Sequence, residues 1–303
     1  MKRAFSFLGI VILLTCTANQ SYSQSNFPDD PYFKSSITFE YGASLGLMNC
    51  LTDLGGGKGI GKKFIKDVNV GNTEPEGSVY MSAVYKNAVA LRSEIVWGIV
   101  RASDAVLKNV KESTQGRYER NLSFKSTIFE VSLITEIHPL YFKKYYPSDK
   151  LPRISPYLLG GIGYFVFNPQ AKLDGTWVDL RPLSTEGQGF AEYPNRKFYK
   201  LKQINFPVGA GIKYKLSDQF NFSAECVYRI LTTDYLDDVS TTFIDPSLYQ
   251  KYLAGDLLAK ALALNDRAKE ITPAHVTSIG DIRGNSKKND AYFSFNFKIG
   301  IIF

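Results

Sequence analysis

The chain has 303 residues, of which 44% are hydrophobic and 14% are aromatic, and its formal net charge is +7. The charge is not gathered in a basic tract, which argues against a nucleic-acid-binding protein. The three cysteines fit neither a zinc site nor a disulfide framework, and no run of about 18 apolar residues predicts a membrane-spanning helix.

The N-terminus predicts export. Two basic residues precede the apolar run AFSFLGIVILL, and small residues follow it, which is the pattern of a signal peptide cleaved after Ser23. We therefore expect residues 1–23 to be a signal peptide and residues 24–303 to form a single domain, because no linker divides them. Cys16 leaves a lipoprotein signal as an alternative, although Thr15 is unusual before a lipidated cysteine.

The rest of the chain contains eight extended segments. In most of them apolar and polar residues alternate with a period of two, which is typical of strands that have one apolar and one polar face. The segments are SITFEYGASLGLM, SVYMSAVY, VALRSEIVWGI, STIFEVSLITEI, SPYLLGGIGYFVF, INFPVGAGIKYKL, Phe220 to Ile230, and AYFSFNFKIGIIF. The last is thirteen residues long, whereas strands of soluble sheets usually have about five or six. A strand tilted across a bilayer needs about 9–11 residues, so the length favours a membrane protein.

The connections between these segments alternate in length. Short turns follow the second and sixth segments and a moderate one follows the fourth, whereas the other connections are long. Short turns on one side and long loops on the other are typical of an outer-membrane barrel. We therefore predict an all-β fold, an eight-stranded antiparallel transmembrane β-barrel with long external loops, closed by a strand that ends at Phe303. A soluble barrel or sandwich is the alternative.

One external loop predicts a helix. In DPSLYQKYLAGDLLAKALALNDRAKE, leucine and alanine recur at helical spacing after a start signal at Asp245 or Ser247. Such a helix either covers the mouth of the barrel or offers its apolar stripe to a partner.

The inward faces of the predicted strands carry acids and bases in similar number. An eight-stranded barrel leaves an interior that side chains can just fill, so we expect the charges to pair and to plug the lumen rather than to form an ion or proton path. The predicted lumen cluster consists of Glu40, Arg92, Glu94, Glu130, Lys213, Glu225, Arg229 and Lys298, together with Glu136 and Lys215.

The sequence gives no support for catalysis or for a cofactor. GGGKGIGKK matches the frame of a phosphate-binding loop, but Lys63 stands where such a loop has serine or threonine, so a flexible loop is the better interpretation. His138 and His275 have no nucleophile or ligand partner at a readable spacing. In TTDYLDDVSTTF, Asp234, Asp237 and Asp238 predict either a calcium site or carboxylates that cap turns.

The longest of the predicted periplasmic connections is a candidate contact with a partner. It reads HPLYFKKYYPSDKLPR, and its mixture of aromatic and basic side chains suits either a protein partner or lipid headgroups. The residues that we expect to make this contact are Tyr141, Phe142, Lys143, Lys144, Tyr145 and Tyr146.

Several segments together resemble the PorG-type outer-membrane barrels of Bacteroidetes. They are YGASLGLMNCLTDLGG, GYFVFNPQA, PLSTEGQG, FPVGAGIKYKLSD, YRILTTDYLDDVS and RGNSKKNDAYFSFNFKIGIIF. The resemblance implies a non-enzymatic barrel in the outer membrane, in contact with its lipid, with no catalytic residues. It also implies a structural role in the type IX secretion machinery, next to periplasmic ring proteins like PorK and PorN. A small porin-like or ligand-binding barrel of unrelated role is the alternative.

Overall fold

The structure, a computed structural model, describes residues 37–55, 70–108, 114–143 and 152–303. The predicted signal peptide, most of the GGGKGIGKK segment, and Lys144, Tyr145 and Tyr146 of the predicted contact lie outside these residues.

Ten strands in the described part of the chain make up a single sheet. Their bounds are β1 (Ile37–Leu51), β2 (Glu74–Tyr85), β3 (Val89–Ser103), β4 (Ser123–Ile137), β5 (Ile154–Val166), β6 (Pro169–Leu173), β7 (Thr176–Asp179), β8 (Lys202–Lys215), β9 (Phe220–Leu231) and β10 (Ala291–Ile302). The eight long strands pair antiparallel in the order β1-β2-β3-β4-β5-β8-β9-β10, and β10 returns to β1 and closes the barrel. This confirms the predicted eight-stranded antiparallel barrel. The short β6–β7 hairpin, which the sequence analysis missed, pairs through β6 with the first residues of β4.

The alternation in β10 shows how sequence specifies the two faces of the wall. Phe295 and Phe297 point outward and are 45% and 50% exposed, whereas Ser294 and Asn296 point inward and are buried. The other long strands repeat this arrangement, so that the exterior is a continuous band of apolar side chains. An apolar exterior of this kind is stable in hydrocarbon, which is the environment of a membrane barrel.

The turns at one end of the barrel are short. In the β2–β3 turn, Lys86 and Asn87 both have positive φ, 49° and 56°, and Ala88 N–H donates to the Tyr85 carbonyl at 2.9 Å. Two such residues give a turn whose twist matches that of the flanking strands. Together with the β4–β5 and β8–β9 connections, this turn forms the end that we call the short-turn rim.

At the other end, the long connections fold into a compact layer that we call the cap, made of residues 52–55, 70–73, 104–108, 114–122, 167–201 and 232–290. It contains the β6–β7 hairpin and the helices α1 (Gln115–Arg120), α2 (Tyr249–Tyr252) and α3 (Gly255–Asn265). The helical segment predicted in the last long loop is therefore present, interrupted between α2 and α3. Within the described residues, no helix is long and apolar enough to cross a bilayer.

Cap and barrel share one hydrophobic core. Buried cap side chains such as Leu183, Leu236 and Tyr249 belong to the same cluster as Met48 and Phe165, which point into the barrel. Because the cap packs directly on the inward faces of the strand ends, the long-loop end of the barrel is filled with apolar side chains.

Candidate functional site

The middle of the barrel interior is centred on Arg92. Its guanidinium lies 3.1 Å from Glu94, 2.5 Å from Glu136 and 2.9 Å from Glu225. Lys298 bridges two of these carboxylates, at 2.7 Å from Glu94 and 2.8 Å from Glu225. All five side chains are at most 3% exposed, so they form a buried ion network that spans the lumen from β3 and β4 to β9 and β10.

A second group lies nearer the cap, around Glu130. Arg229 Nε contacts the Glu130 carboxylate at 2.9 Å and donates through Nη1 to Ser294 at 2.7 Å. Asn205 Nδ2 donates to the same carboxylate at 2.9 Å, and the Tyr292 hydroxyl donates to it as well. Charge-assisted bonds from three strands therefore hold this carboxylate in one position.

A third group closes the interior at the short-turn end. Lys213 lies 3.1 Å from Glu40 and 3.5 Å from Glu136, and the Tyr80 hydroxyl donates to Glu40 at 2.6 Å. The structure thus brings every residue of the predicted lumen cluster except Lys215 inside the barrel. Glu136 joins the Arg92 and Lys213 groups, whereas Glu130 and Arg229 form a separate pair. Lys215 lies on the same face of β8 as Lys213 but at the end of the strand, where it is exposed and pairs with Asp218 in the adjoining turn.

His138 has partners that the sequence analysis missed. Its Nδ1 lies 3.0 Å from Ser155 Oγ and its Nε2 lies 3.3 Å from Glu136 Oε2. The three residue types are those of a hydrolase triad, but each side chain is at most 3% exposed and Glu136 is already bound to Arg92 and Lys213. A substrate has no access to Ser155, so the three side chains link β4 to β5 at the short-turn end of the interior. Ser155 lies seventeen residues after His138, on the neighbouring strand, and no sequence motif marks such a pair.

The three aspartates of the predicted calcium site point in different directions. Asp238 accepts from Thr185 at 2.5 Å and from Tyr199 at 2.6 Å, whereas Asp237 accepts from Val239 N–H at 2.9 Å. Neither carboxylate oxygen of Asp234 has a hydrogen-bond partner among the described residues. Across those residues, no group of three or more His, Cys, Asp or Glu side chains is placed to hold a metal ion.

Burial dominates the ionisation of these cap carboxylates. It raises the pKa of Asp234 to about 8 and that of Asp238 to about 6, the latter against the attraction of the Arg283 guanidinium. The pKa of Asp237 is raised well above the usual range by burial and then by the nearby Asp53, and that of Asp290 is raised by burial and then by Asp237. These groups therefore hold protons at a pH at which exposed aspartates are ionised.

The Arg-Gly-Asn segment organises the cap. Arg283 pairs with Glu186 at 3.1 Å and donates to the Asp238 carbonyl at 2.8 Å. A Cβ on Gly284 would lie 2.6 Å from an Asp53 carboxylate oxygen and 2.7 Å from the Ser240 nitrogen. Only glycine allows these loops to come so close, which accounts for this residue at the centre of the cap.

The predicted contact in the β4–β5 connection lies on the short-turn rim. Tyr141 is fixed by donating to the Pro152 carbonyl at 3.0 Å, whereas Phe142 is 63% exposed and Lys143 is exposed. Leu140, at 42% exposure, adds a second apolar side chain. This connection therefore presents a small apolar and basic surface beyond the barrel wall.

A closed antiparallel barrel with an apolar exterior, a charged interior and short turns at one end only is an outer-membrane type of β-barrel. No protein-family model matches the chain, and no curated protein matches it significantly in sequence.

Solved outer-membrane proteins are similar in structure. Ail of Yersinia pestis is 10% identical, over 88% of this chain and 97% of that chain, with a TM-score of 0.34. Outer membrane protein W of E. coli is 9% identical, over 89% and 100%, with a TM-score of 0.33. OprG of Pseudomonas aeruginosa is 8% identical, over 88% and 95%, with a TM-score of 0.33. The assignment to the class depends on the strand register and on the distribution of apolar side chains in this chain itself.

Proposed function

We propose that the protein is a non-enzymatic outer-membrane barrel, exported with a cleaved signal peptide, that anchors a protein assembly of the periplasm. Its resemblance to PorG-type barrels makes the type IX secretion machinery the proposed assembly, with ring proteins like PorK and PorN as the partners. In this role the barrel is a fixed support, and its rim is the surface that the partner contacts.

The exposed β4–β5 connection carries this proposal. Leu140 and Phe142 are apolar side chains at the rim, and the fixed Tyr141 holds the connection in place beside them. Aromatic side chains are enriched in the core of protein interfaces, and charged ones such as Lys143 surround that core. The filled interior supports the same view, because a structural anchor needs no passage.

The test is recovery of partners from native membranes with a tagged protein. We expect periplasmic ring proteins with the wild type, and at least a tenfold loss with Phe142→Asp, since one buried interface aromatic contributes about 2 kcal/mol or more. Phe198→Asp is the matched control, because Phe198 is 50% exposed on the cap, away from the rim. Recovery of no ring proteins by the wild type, together with normal secretion after deletion of the gene, would contradict the proposal.

Unpartnered polar atoms inside the barrel favour a second candidate, a small porin-like or ligand-binding barrel. Both oxygens of Glu76 and the amide oxygens of Asn205 and Asn296 lack partners among the described residues. Buried groups of this kind are commonly satisfied by water. The apolar layer under the cap interrupts any such water, so we expect no stable conductance in planar bilayers. Reproducible single-channel steps would favour the second candidate over the first.

A further inference from the structure

Basic side chains lie at each of the three short-turn connections. Lys86 is in the β2–β3 turn, Lys143 and Arg153 are in the β4–β5 connection, and Lys215 ends β8. All four are exposed, and Lys215 pairs with Asp218 at 2.8 Å. Among the described residues, the other three have no carboxylate within 4.0 Å, so within that part of the chain their charges are unpaired.

Several bases at the cap end are neutralised within the chain. Arg101 pairs with Glu74 at 2.6 Å, Lys251 with Glu192 at 2.7 Å, and Lys260 with Asp256 at 2.6 Å. Arg267 pairs with Glu270 at 2.8 Å. Other exposed cap bases, such as Lys197, Lys269 and Lys287, have no ion pair among the described residues either. The rim therefore differs from the cap in where its bases lie and in what surrounds them.

The positions of these bases indicate what neutralises them. In the barrel order, the three connections follow one another at intervals of two strands, so the charges occupy three of the four positions around the rim instead of forming one patch. Large apolar side chains lie beside them: Tyr85 is 50% exposed, Phe142 63% and Leu216 55%. Lys86 Nζ also lies 5.2 Å from the centre of the Tyr85 ring. Aromatic side chains next to bases, at the edge of an apolar exterior, are typical of the level of lipid headgroups.

We propose that the basic rim, formed by Lys86, Lys143, Arg153 and Lys215, binds the anionic headgroups of phospholipids in the adjoining leaflet. Each base supplies a charge to the phosphate of a lipid whose acyl chains lie against the apolar exterior. A ring of charges fits a ring of boundary lipids better than it fits one partner docked on one side. The inference is independent of any protein partner.

The experiment measures which lipids remain bound to the purified full chain. Protein reconstituted in equal parts of phosphatidylglycerol and phosphatidylcholine is extracted with mild detergent, and the retained lipids are counted by native mass spectrometry. We expect several-fold enrichment of phosphatidylglycerol, since a base near a charged surface contributes about a fivefold preference. The enrichment decreases at high salt because exposed charges are screened.

Two triple variants with the same change in charge distinguish the rim from net charge. Lys86→Gln, Lys143→Gln and Arg153→Gln together should abolish the enrichment. Lys197→Gln, Lys269→Gln and Lys287→Gln, all exposed on the cap, should leave it intact. Unchanged mobility of the folded band on a mild-detergent gel shows that both variants fold. If the rim variant does not fold, the single variant Lys86→Gln replaces it, and we expect it to lower the enrichment partly.

Equal retention of the two lipids by the wild type, or the same enrichment in both triple variants, would overturn the proposal. Loss of ring-protein recovery in the rim variant without any lipid preference in the wild type would identify the rim as a protein-binding surface only, which also overturns it. Lipid enrichment without recovery of ring proteins would support the basic rim while contradicting the proposed function.

Discussion

The barrel and the cap both bury many side chains, but the two regions differ in where their apolar side chains lie. In the barrel, the exterior is apolar and the interior holds ion networks around Arg92 and Arg229. In the cap, the interior is an apolar core of residues such as Leu183 and Tyr249, and the carboxylates buried around it are paired with Arg120 and Arg283 or hold protons. The difference follows from what surrounds each region, because hydrocarbon favours apolar side chains outside and water favours them inside. One chain therefore contains both a membrane fold and a soluble type of fold.

The largest effect is expected from breaking the interior network at its centre. Arg92→Met leaves Glu94, Glu136 and Glu225 in a buried site without their main counter-charge. Removing one partner of a buried ion pair typically costs about 3–5 kcal/mol. We expect a marked decrease in the urea concentration at which half of the protein loses its folded band on a mild-detergent gel. Arg101→Met, at an exposed pair, should cost at most about 1 kcal/mol, and equal effects would contradict the network's role.

The next largest effect comes from placing the same charge in hydrocarbon and in water. Ile162, in the middle of β5, is 50% exposed, and Ile279, in the cap, is 63% exposed. Ile162→Arg should cost about 2–4 kcal/mol, because a charge at a lipid-facing position must enter hydrocarbon. Ile279→Arg should be nearly neutral, because water already solvates that site. Equal tolerance in the same gel assay would show that the apolar band does not face lipid.

A smaller effect should be confined to the cap. Gly284→Ala places a methyl group against Asp53 and Ser240, and overpacking of this kind costs about 1–3 kcal/mol. We expect faster protease cleavage within the cap and an unchanged folded band from the barrel. Gly116→Ala, in α1 with no atom within 4 Å of the added methyl, should be neutral or slightly stabilising. A barrel that loses its folded band together with the cap would show that the two regions unfold as one.

The smallest effect is a dependence of the cap on pH. Burial raises the pKa of Asp234 from 3.8 to about 8, so the folded cap binds more protons than the unfolded chain between these values. The contribution of this group is complete below the lower value and is lost as the pH rises through the upper one. We expect faster cleavage of the cap at about pH 9 than at about pH 6, and a weaker dependence in Asp234→Asn. Slower cleavage at the higher pH would contradict this assignment.

The sequence predicts the barrel better than the cap, for a physical reason. Alternation in a strand such as β10 is local, because each side chain faces either lipid or the interior. Cap residues are fixed by partners far along the chain: Asp238 turns towards Thr185 and Tyr199, away from Asp234, four residues before it. The β6–β7 hairpin, with strands of five and four residues, is too short for its periodicity to stand out. The sequence signal of the centre of the cap is Arg283-Gly284-Asn285, which the sequence alone connects only with the family resemblance.

The closure of the barrel by β1 and β10 has a consequence for assembly. Phe39 and Phe303, near opposite ends of the chain, exchange backbone hydrogen bonds of 3.2 and 3.0 Å. Hairpins such as β2–β3 need only a few residues to form, whereas this pairing must overcome the loop entropy of the whole intervening chain. The other seven seams are local by comparison and favour early formation. We therefore expect the β1–β10 seam to form last, so that the edges of β1 and β10 stay unpaired until then.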